Sequence, residues 1–319
     1  MLRDEMITVF GGSGFVGRYV VRALVKKGYR VRVATRRPHI ALDLKVTGVV
    51  GQVELMQANV RDAASVRRAV EGAHGVVNLV GILAESGSQQ FASLQAKGAQ
   101  NIAEAAAEAG AERFVQISAI GADPDSLSRY AQTKAQGEEA VSTAFAGAVI
   151  LRPSIVFGAE DEFFNRFAGM ARFAPALPLP GGGKMKMQPV FVGDVADCVA
   201  NAIDDRSAAG IYELGGPRVY TYRELMEFIL ETIDRPRFLV PVPMFAMSAL
   251  GFAGELAGAF PFVEPFLTRD QVILLGEDNV VSPDMRGIAD LGVTPETVES
   301  IVPSYLERYR RYGQFHESA

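Results

Sequence analysis

The chain has 319 residues, 49% hydrophobic and 22% charged, a globular balance that excludes disorder and collagen-like structure and suits one large or two joined domains. Its formal net charge of −5 provides no global basic field to attract nucleic acid. The single Cys198 excludes an internal disulfide and fits a reducing compartment. With the scattered His39, His74 and His316 it makes a poor transition-metal site, so no metal is expected.

In chain order, Met1-Leu2-Arg3-Asp4-Glu5 is too acidic for a signal or transit peptide. Met6–Phe10 then reads as a buried strand, Phe15–Lys27 as a helix stopped by Gly28, and Arg30–Thr35 as a second strand. Val53–Gln57 is a third strand, followed by a helix that Asp62 is placed to cap. Gly75–Val80, Arg113–Ser118 and Ala148–Leu151 continue the series, separated by helices over Gln89–Ala109 and Ser128–Phe145. Alternation at this spacing predicts an α/β, Rossmann-type, doubly wound parallel sheet.

The second half is less regular. Helices are expected over Phe163–Phe173, Val195–Ile203 (entered from Pro189–Val192 through Asp194), Tyr222–Ile233, Phe245–Ala257 and Val298–Tyr312, with a strand at Ile211–Leu214 and a Pro/Gly-rich loop over Pro175–Gly183. The predicted division is a dinucleotide-binding domain over 1–155, with 188–217 returning to it. Residues 156–187 and 218–319 would form a smaller, mostly helical lobe. The longest uncharged stretch, Phe238–Gly254, contains Pro241, Pro243 and Gly251 and falls short of the ~20 apolar residues a bilayer span requires. No transmembrane segment is expected.

The first chemical motif, Gly11-Gly12-Ser13-Gly14-Phe15-Val16-Gly17, lies between the first strand and the first helix. Gly11 suits the tight turn, Gly14 close backbone approach to a pyrophosphate, and Gly17 close packing of helix on strand. The amides of Phe15 and Val16 would point at the phosphates. At the end of the second strand, where a carboxylate would hold the 2′-hydroxyl of NAD, the sequence has Arg36 and Arg37. Two guanidiniums suit a 2′-phosphate and an adenine face, so NADPH/NADP is expected over NADH.

Tyr130 and Lys134 stand four apart on one helix, and Ser118 lies at the exit of the fifth strand. A lysine ammonium beside a phenol favours phenolate. Such a tyrosine can exchange a proton with an alcohol or carbonyl while nicotinamide exchanges hydride. Ser118 would orient the oxygen, and Tyr130 and Lys134 would also hold ribose.

Together these residues resemble the short-chain dehydrogenase/reductase superfamily in its extended and atypical branches, over nearly the whole chain. Asn78-Leu79-Val80-Gly81 is similar to the fourth-strand turn that passes the cofactor ribose, which implies cofactor contact at Val80 and Gly81. Asn59-Val60 falls where the superfamily usually has Asp and an aliphatic residue at the adenine; Asn59 departs from that pattern but keeps an acceptor oxygen. Leu151–Gly158 resembles the Arg-Pro segment whose backbone faces the nicotinamide, implicating Pro153 and Ile155, and Gln188–Ala196 resembles the return from the second lobe.

A narrower resemblance, carried by Phe157–Ala168, Lys134–Glu138 and Asp278–Ser282, is to the NADPH-binding accessory subunits of respiratory complex I (NADH:quinone oxidoreductase). It implies a bound NADPH that stabilises the subunit, doubtful turnover, and peripheral-arm subunits as partners. The expected location is peripheral, on the cytoplasmic face of a bacterial inner membrane, or the matrix side if mitochondrial, and otherwise cytoplasmic. The alternatives are a free NAD(P)-dependent reductase, dehydrogenase or epimerase using Ser118, Tyr130 and Lys134, and a redox-sensing regulator.

Two features attract simpler readings. Gly181-Gly182-Gly183-Lys184 lacks the Ser or Thr of a nucleotide P-loop and reads as a mobile lid. The uncharged 238–266 region, with Met244, Phe245, Met247, Leu250, Phe252 and Leu256, reads first as lobe core. Continued by Phe260, Phe262 and Phe266, it also suits docking near a membrane.

Overall fold

The computed structural model describes residues 2–87, 89–258 and 267–315. The chain divides into two compact units. One comprises Met1–Pro153, Val192–Leu214 and Ser282–Thr294; the other comprises Ser154–Phe191, Gly215–Val281 and Pro295–Ala319. Ser282–Thr294 thus belongs with the first unit, although the sequence reading assigns it to the smaller lobe.

The first unit is built from β1 (Met6–Phe10), α1 (Phe15–Lys26), β2 (Arg30–Thr35), β3 (Val53–Gln57), α2 (Ala63–Val70), β4 (Gly75–Asn78), α3 (Lys97–Glu108), β5 (Arg113–Ile117), α4 (Arg129–Ala144) and β6 (Val149–Pro153). The Val192–Asp204 helix and the Gly210–Leu214 strand complete it. The seven strands form one parallel sheet, ordered from Gly210–Leu214 through β6, β5, β4, β1 and β2 to β3. β1, β4 and β5 are buried at every position, as strands covered on both faces must be. α1 packs with the Val192–Asp204 helix, while α2, α3 and α4 pack in series; right-handed crossovers set these two groups on opposite faces. Strand order reverses between β1 and β4, and open parallel sheets bind ligands at such a switch point.

The local signals behave as their chemistry requires. Asp62 caps α2 by accepting from Ala64 N at 3.0 Å, and Ser128 caps α4 by accepting from Ala131 N at 3.3 Å. Gly28, at φ +91°, ends α1 in a left-handed turn with paired bonds Gly28 N to Val25 O and Tyr29 N to Leu24 O. β4 stops at Asn78 instead of reaching Val80, because Asn78 Oδ1 takes the Val80 amide at 3.0 Å and turns the chain. The helix expected over Gln89–Ala109 starts as a π-helical stretch, Ala92–Ala96, before α3.

The second unit gathers its own core around Phe157, Phe164, Leu177, Leu179, Tyr222 and Val302. Its helices span Phe163–Ala171, Tyr222–Thr232, Met244–Gly258, Arg269–Leu274 and Val298–Leu306. The expected Pro175–Gly183 loop is corrected: Ala176–Pro180 is a strand paired in parallel with Phe238–Val242. Prolines survive there because each strand of a two-stranded sheet has a free edge. Gly181, Gly182 and Gly183 all have positive φ, and their amides donate to Val242 O, Leu179 O and Pro180 O. The expected lid is a hydrogen-bonded turn. The last helix ends at Leu306 rather than Tyr312, and Arg310 Nε then donates to Thr232 O at 2.9 Å.

The Met244–Gly258 helix corrects the lobe-core reading of its large side chains. It turns Met247 and its glycines inward. A Cβ at Gly251 would lie 2.9 Å from Arg269 N, and one at Gly254 would lie 2.2 Å from Leu267 O. Phe245, Leu250, Phe252 and Leu256 are left exposed. Phe260, Phe262, Phe266 and His316 lie outside the described residues. No helix among the described residues is long and apolar enough to cross a membrane, and these residues hold no cluster of potential metal ligands.

Candidate functional site

The glycine loop follows β1 at the switch point. Gly11 sits at φ +78°, and a Cβ there would meet the backbone of Leu79 and Val80 at 3.1–3.2 Å, so this glycine lets the chain leaving β1 pass against the chain leaving β4. Gly17 is the tightest position: a Cβ would lie 2.3 Å from Gly11 O and 2.6 Å from Gly12 Cα. Gly14 is exposed, and an added Cβ would touch only Gly11 O at 3.4 Å. The space above Gly14 is open on the side where the first-turn amides of Phe15 and Val16 begin α1. Ser13 Oγ lies 3.1 Å from Thr35 Oγ1 at the end of β2, tying the loop to the adjacent strand.

Beyond β2 and β3 lies a pocket of about 340 Å³ lined by Arg36, Gln57, Asn59, Asp62, Ser65 and Arg68, among others. Arg37 is exposed and does not line it. Asn59 Oδ1 already accepts from Arg61 N at 3.2 Å and Arg61 Nε at 3.4 Å. The acceptor expected for adenine is therefore shared with the local turn. Val60 is buried in the core formed with α2 and α3.

After β4, Asn78 is buried, with its amide donating to Gln116 Oε1 at 2.8 Å and its carbonyl holding Val80 N. That pairing fixes Val80 and Gly81 at the sheet edge. A Cβ on Gly81 would lie 3.3 Å from Lys134 Nζ. Lys134 Nζ is 3.4 Å from Ile117 O, the residue before Ser118, and 5.7 Å from the Tyr130 ring centroid. The structure thus brings Gly81, the end of β5, Tyr130 and Lys134 together. Ser118 is buried, and its hydroxyl has no hydrogen-bond partner among the described residues. A buried polar atom left unmatched marks a place where a ligand atom would fit. Burial pushes Lys134 down to about 8, opposed by the negative charge of Glu138.

Pro153 ends β6, and its carbonyl accepts from Ile120 N at 3.1 Å. Ile155 belongs to the second unit, where its carbonyl accepts from Val190 N at 2.9 Å.

Residues 7–215 match the family model described as NAD dependent epimerase/dehydratase family. The chain belongs to that family. Over 308 residues it is 37% identical to the mitochondrial NADH dehydrogenase (ubiquinone) 1 alpha subcomplex subunit 9 of Mus musculus, covering 96% of this chain and 80% of the relative. It is 32% identical over 310 residues to the mitochondrial NADH-ubiquinone oxidoreductase 40 kDa subunit of Neurospora crassa, covering 97% and 80% respectively. Among solved structures, an NADPH-dependent quinone oxidoreductase from Escherichia coli complexed with NADPH superimposes with a TM-score of 0.74. That match covers 94% of this chain and 99% of the other at 19% identity, a likeness of fold.

Three further residues, given no role from the sequence, support the site. Gln95, in the π-helical stretch, donates to Ile82 O at 2.7 Å and accepts from Thr133 Oγ1 at 3.0 Å, linking the loop after β4 to α4. Phe91 packs edge-on to Tyr130 at 5.8 Å. Arg152 holds Glu138 through two bonds of 2.9 and 2.6 Å, and lies 3.7 Å from Glu213, whose other oxygen accepts from Ser282 N. Glu138 follows Lys134 by one helical turn, a usual ion-pair spacing, yet its carboxylate is committed to Arg152. No local sequence signal distinguishes these residues, because each acts on a group distant in the chain.

Proposed function

We propose that this chain is an NADP(H)-binding accessory subunit of respiratory complex I that keeps its nucleotide for structure and not for turnover. The observation that carries this reading is the similarity along 96% of the chain to a protein named as a subunit of that enzyme. The exposed Phe245, Leu250, Phe252 and Leu256 support a docking role. The proposed partners are peripheral-arm subunits, and the proposed location is the cytoplasmic face of a bacterial inner membrane or its matrix-side equivalent.

The first unit's residues fit a dinucleotide. Gly14 leaves open space where the backbone can approach a pyrophosphate, and the amides of Phe15 and Val16 donate at the start of α1. Ser13 and Arg36 would face the adenosine end, with no carboxylate at the end of β2 to demand a free 2′-hydroxyl. Val80 and Gly81 would pass the ribose, whose hydroxyls Tyr130 and Lys134 would hold, while Pro153 would lend backbone toward the nicotinamide.

The buried Ser118 hydroxyl, without a hydrogen-bond partner among the described residues, favours a second reading, a free-standing reductase, dehydrogenase or epimerase. When bound, the nicotinamide supplies or accepts hydride. Ser118 would orient a substrate oxygen and Tyr130 would exchange its phenolic proton with that oxygen, while the Lys134 ammonium stabilises phenolate.

Mild-detergent purification of the tagged chain, with identification of partners and of extracted nucleotide, tests the choice. Recovery with complex I subunits and stoichiometric NADP(H) is expected. Recovery alone, with NADPH consumed on carbonyl substrates, would transfer the assignment to the second reading.

A further inference from the structure

The expected pair of phosphate-reading arginines was Arg36 and Arg37, neighbours in sequence. The structure separates them: Arg36 lines the 340 Å³ pocket beyond β2 and β3 and Arg37 does not. A second guanidinium does reach that pocket, Arg68, from the last turn of α2. We propose that Arg68, acting opposite Arg36 across this pocket, is the second residue that reads the cofactor's 2′-phosphate, and that Arg37 has no part in the choice.

The charges and donors in the pocket support this. Among the described residues Asp62 is the only acid lining it, and its carboxylate accepts from Ala64 N at 3.0 Å as the α2 cap. Neither Arg36 nor Arg68 pairs with a carboxylate among the described residues, whereas the adjacent Arg67 is paired with Glu108 at 3.1 Å. The pocket therefore holds two guanidinium cations without an ion-pair partner against one carboxylate, a net positive charge. Ser65 Oγ accepts from Asn59 N at 3.1 Å, leaving its hydroxyl proton for an acceptor. Two guanidiniums from different elements converging on one concavity suit a dianionic oxygen cluster, which forked donors recognise geometrically. Asp62, Ser65 and Arg68 stand three apart along the chain, so one face of α2 presents them in sequence.

This inference rests on the NADP(H) reading, and the experiment separates the two. NADPH and NADH are titrated into the full-length wild type and into Arg36→Gln, Arg37→Gln and Arg68→Gln, with fluorescence as the readout. Arg68→Gln and Arg36→Gln should each weaken NADPH about ten- to hundredfold, the loss of one charge-assisted contact. Arg68→Gln should leave NADH affinity unchanged, which also reports an intact fold; Arg37→Gln should match wild type. A wild type that binds NADH as tightly as NADPH overturns the NADP(H) reading itself. A wild type that prefers NADPH, with the preference kept in Arg68→Gln or lost in Arg37→Gln, overturns the assignment of Arg68 alone. Equal weakening of both nucleotides by Arg68→Gln also overturns it, since that pattern reports adenine stacking.

Discussion

At the scale of single residues, two glycines of one loop do different work. Gly17 has no room for a Cβ, with Gly11 O at 2.3 Å, whereas Gly14 has one contact at 3.4 Å and ordinary φ of −77°. Gly17→Ala should destabilise the protein without ligand by about 1–3 kcal/mol, the usual cost of overpacking. Gly14→Ala should leave the ligand-free melting temperature unchanged but abolish the stabilisation that saturating NADPH confers, about 2.7 kcal/mol at a hundredfold excess over Kd. Calorimetry of both variants with and without NADPH checks this; equal ligand-free melting temperatures would refute the division of labour.

Lys134 gives a pH prediction. Its ordinary value of 10.5 falls to about 8 because burial disfavours the charged form. Below about pH 8 both folded and unfolded chains carry the proton, and the cost of burying it is fully present. Between about 8 and 10.5 the folded chain gives up the proton first, so this residue's contribution makes stability rise with pH. The gain is on the order of 3 kcal/mol. Urea unfolding at both ends of this window should show a smaller rise in Lys134→Met than in wild type. Parallel curves would assign the rise to other groups.

At the scale of elements, the π-helical stretch at Ala92–Ala96 joins two parts of the candidate site. Gln95 bonds Ile82 O and Thr133 Oγ1, and a Cβ on Gly137 of α4 would lie 2.5 Å from Gln95 O. Single π-turns inside helices recur at functional sites, and this one sets the loop after β4 against the helix that carries Tyr130 and Lys134. Gln95→Leu should cost about 1 kcal/mol through the lost bonds to Ile82 O and Thr133 Oγ1 and weaken NADPH and NADH alike, since the ribose serves both. Titration of both nucleotides distinguishes this from the 2′-phosphate effect. This feature was invisible in the sequence because Ala-rich helical periodicity runs unbroken through it. The cap Asp62 and the stop at Gly28 were legible, since each acts on amides or carbonyls within a few residues. The Ala176–Pro180 strand was not, because its partner lies some sixty residues away and its prolines signal a loop.

At the scale of the whole molecule, the Met244–Gly258 helix gives up its glycine face to Leu267–Arg269 and leaves Phe245, Leu250, Phe252 and Leu256 exposed. A helix hydrophobic all round is ordinarily buried, so this one suits a partner. Phe245→Glu with Leu250→Glu should alter the melting temperature of the isolated chain little, about 0.5 kcal/mol or less per surface site. It should sharply reduce recovery of complex I subunits with the tagged protein. Undiminished recovery would place the contact elsewhere.

Local patterns settled the parallel α/β sheet, the glycine turn after β1 and the one-turn spacing of Tyr130 and Lys134 on α4. Apolar periodicity, glycine at tight turns and one-turn helical spacing are properties of neighbouring residues. Tertiary structure alone decided which cations line the pocket, which carboxylate Lys134 is denied, and which apolar side chains stay exposed. Each of these depends on groups tens of residues apart meeting in space. Arg36 and Arg37 stand together in the chain, yet only Arg36 lines the pocket, and Arg68 joins it from α2.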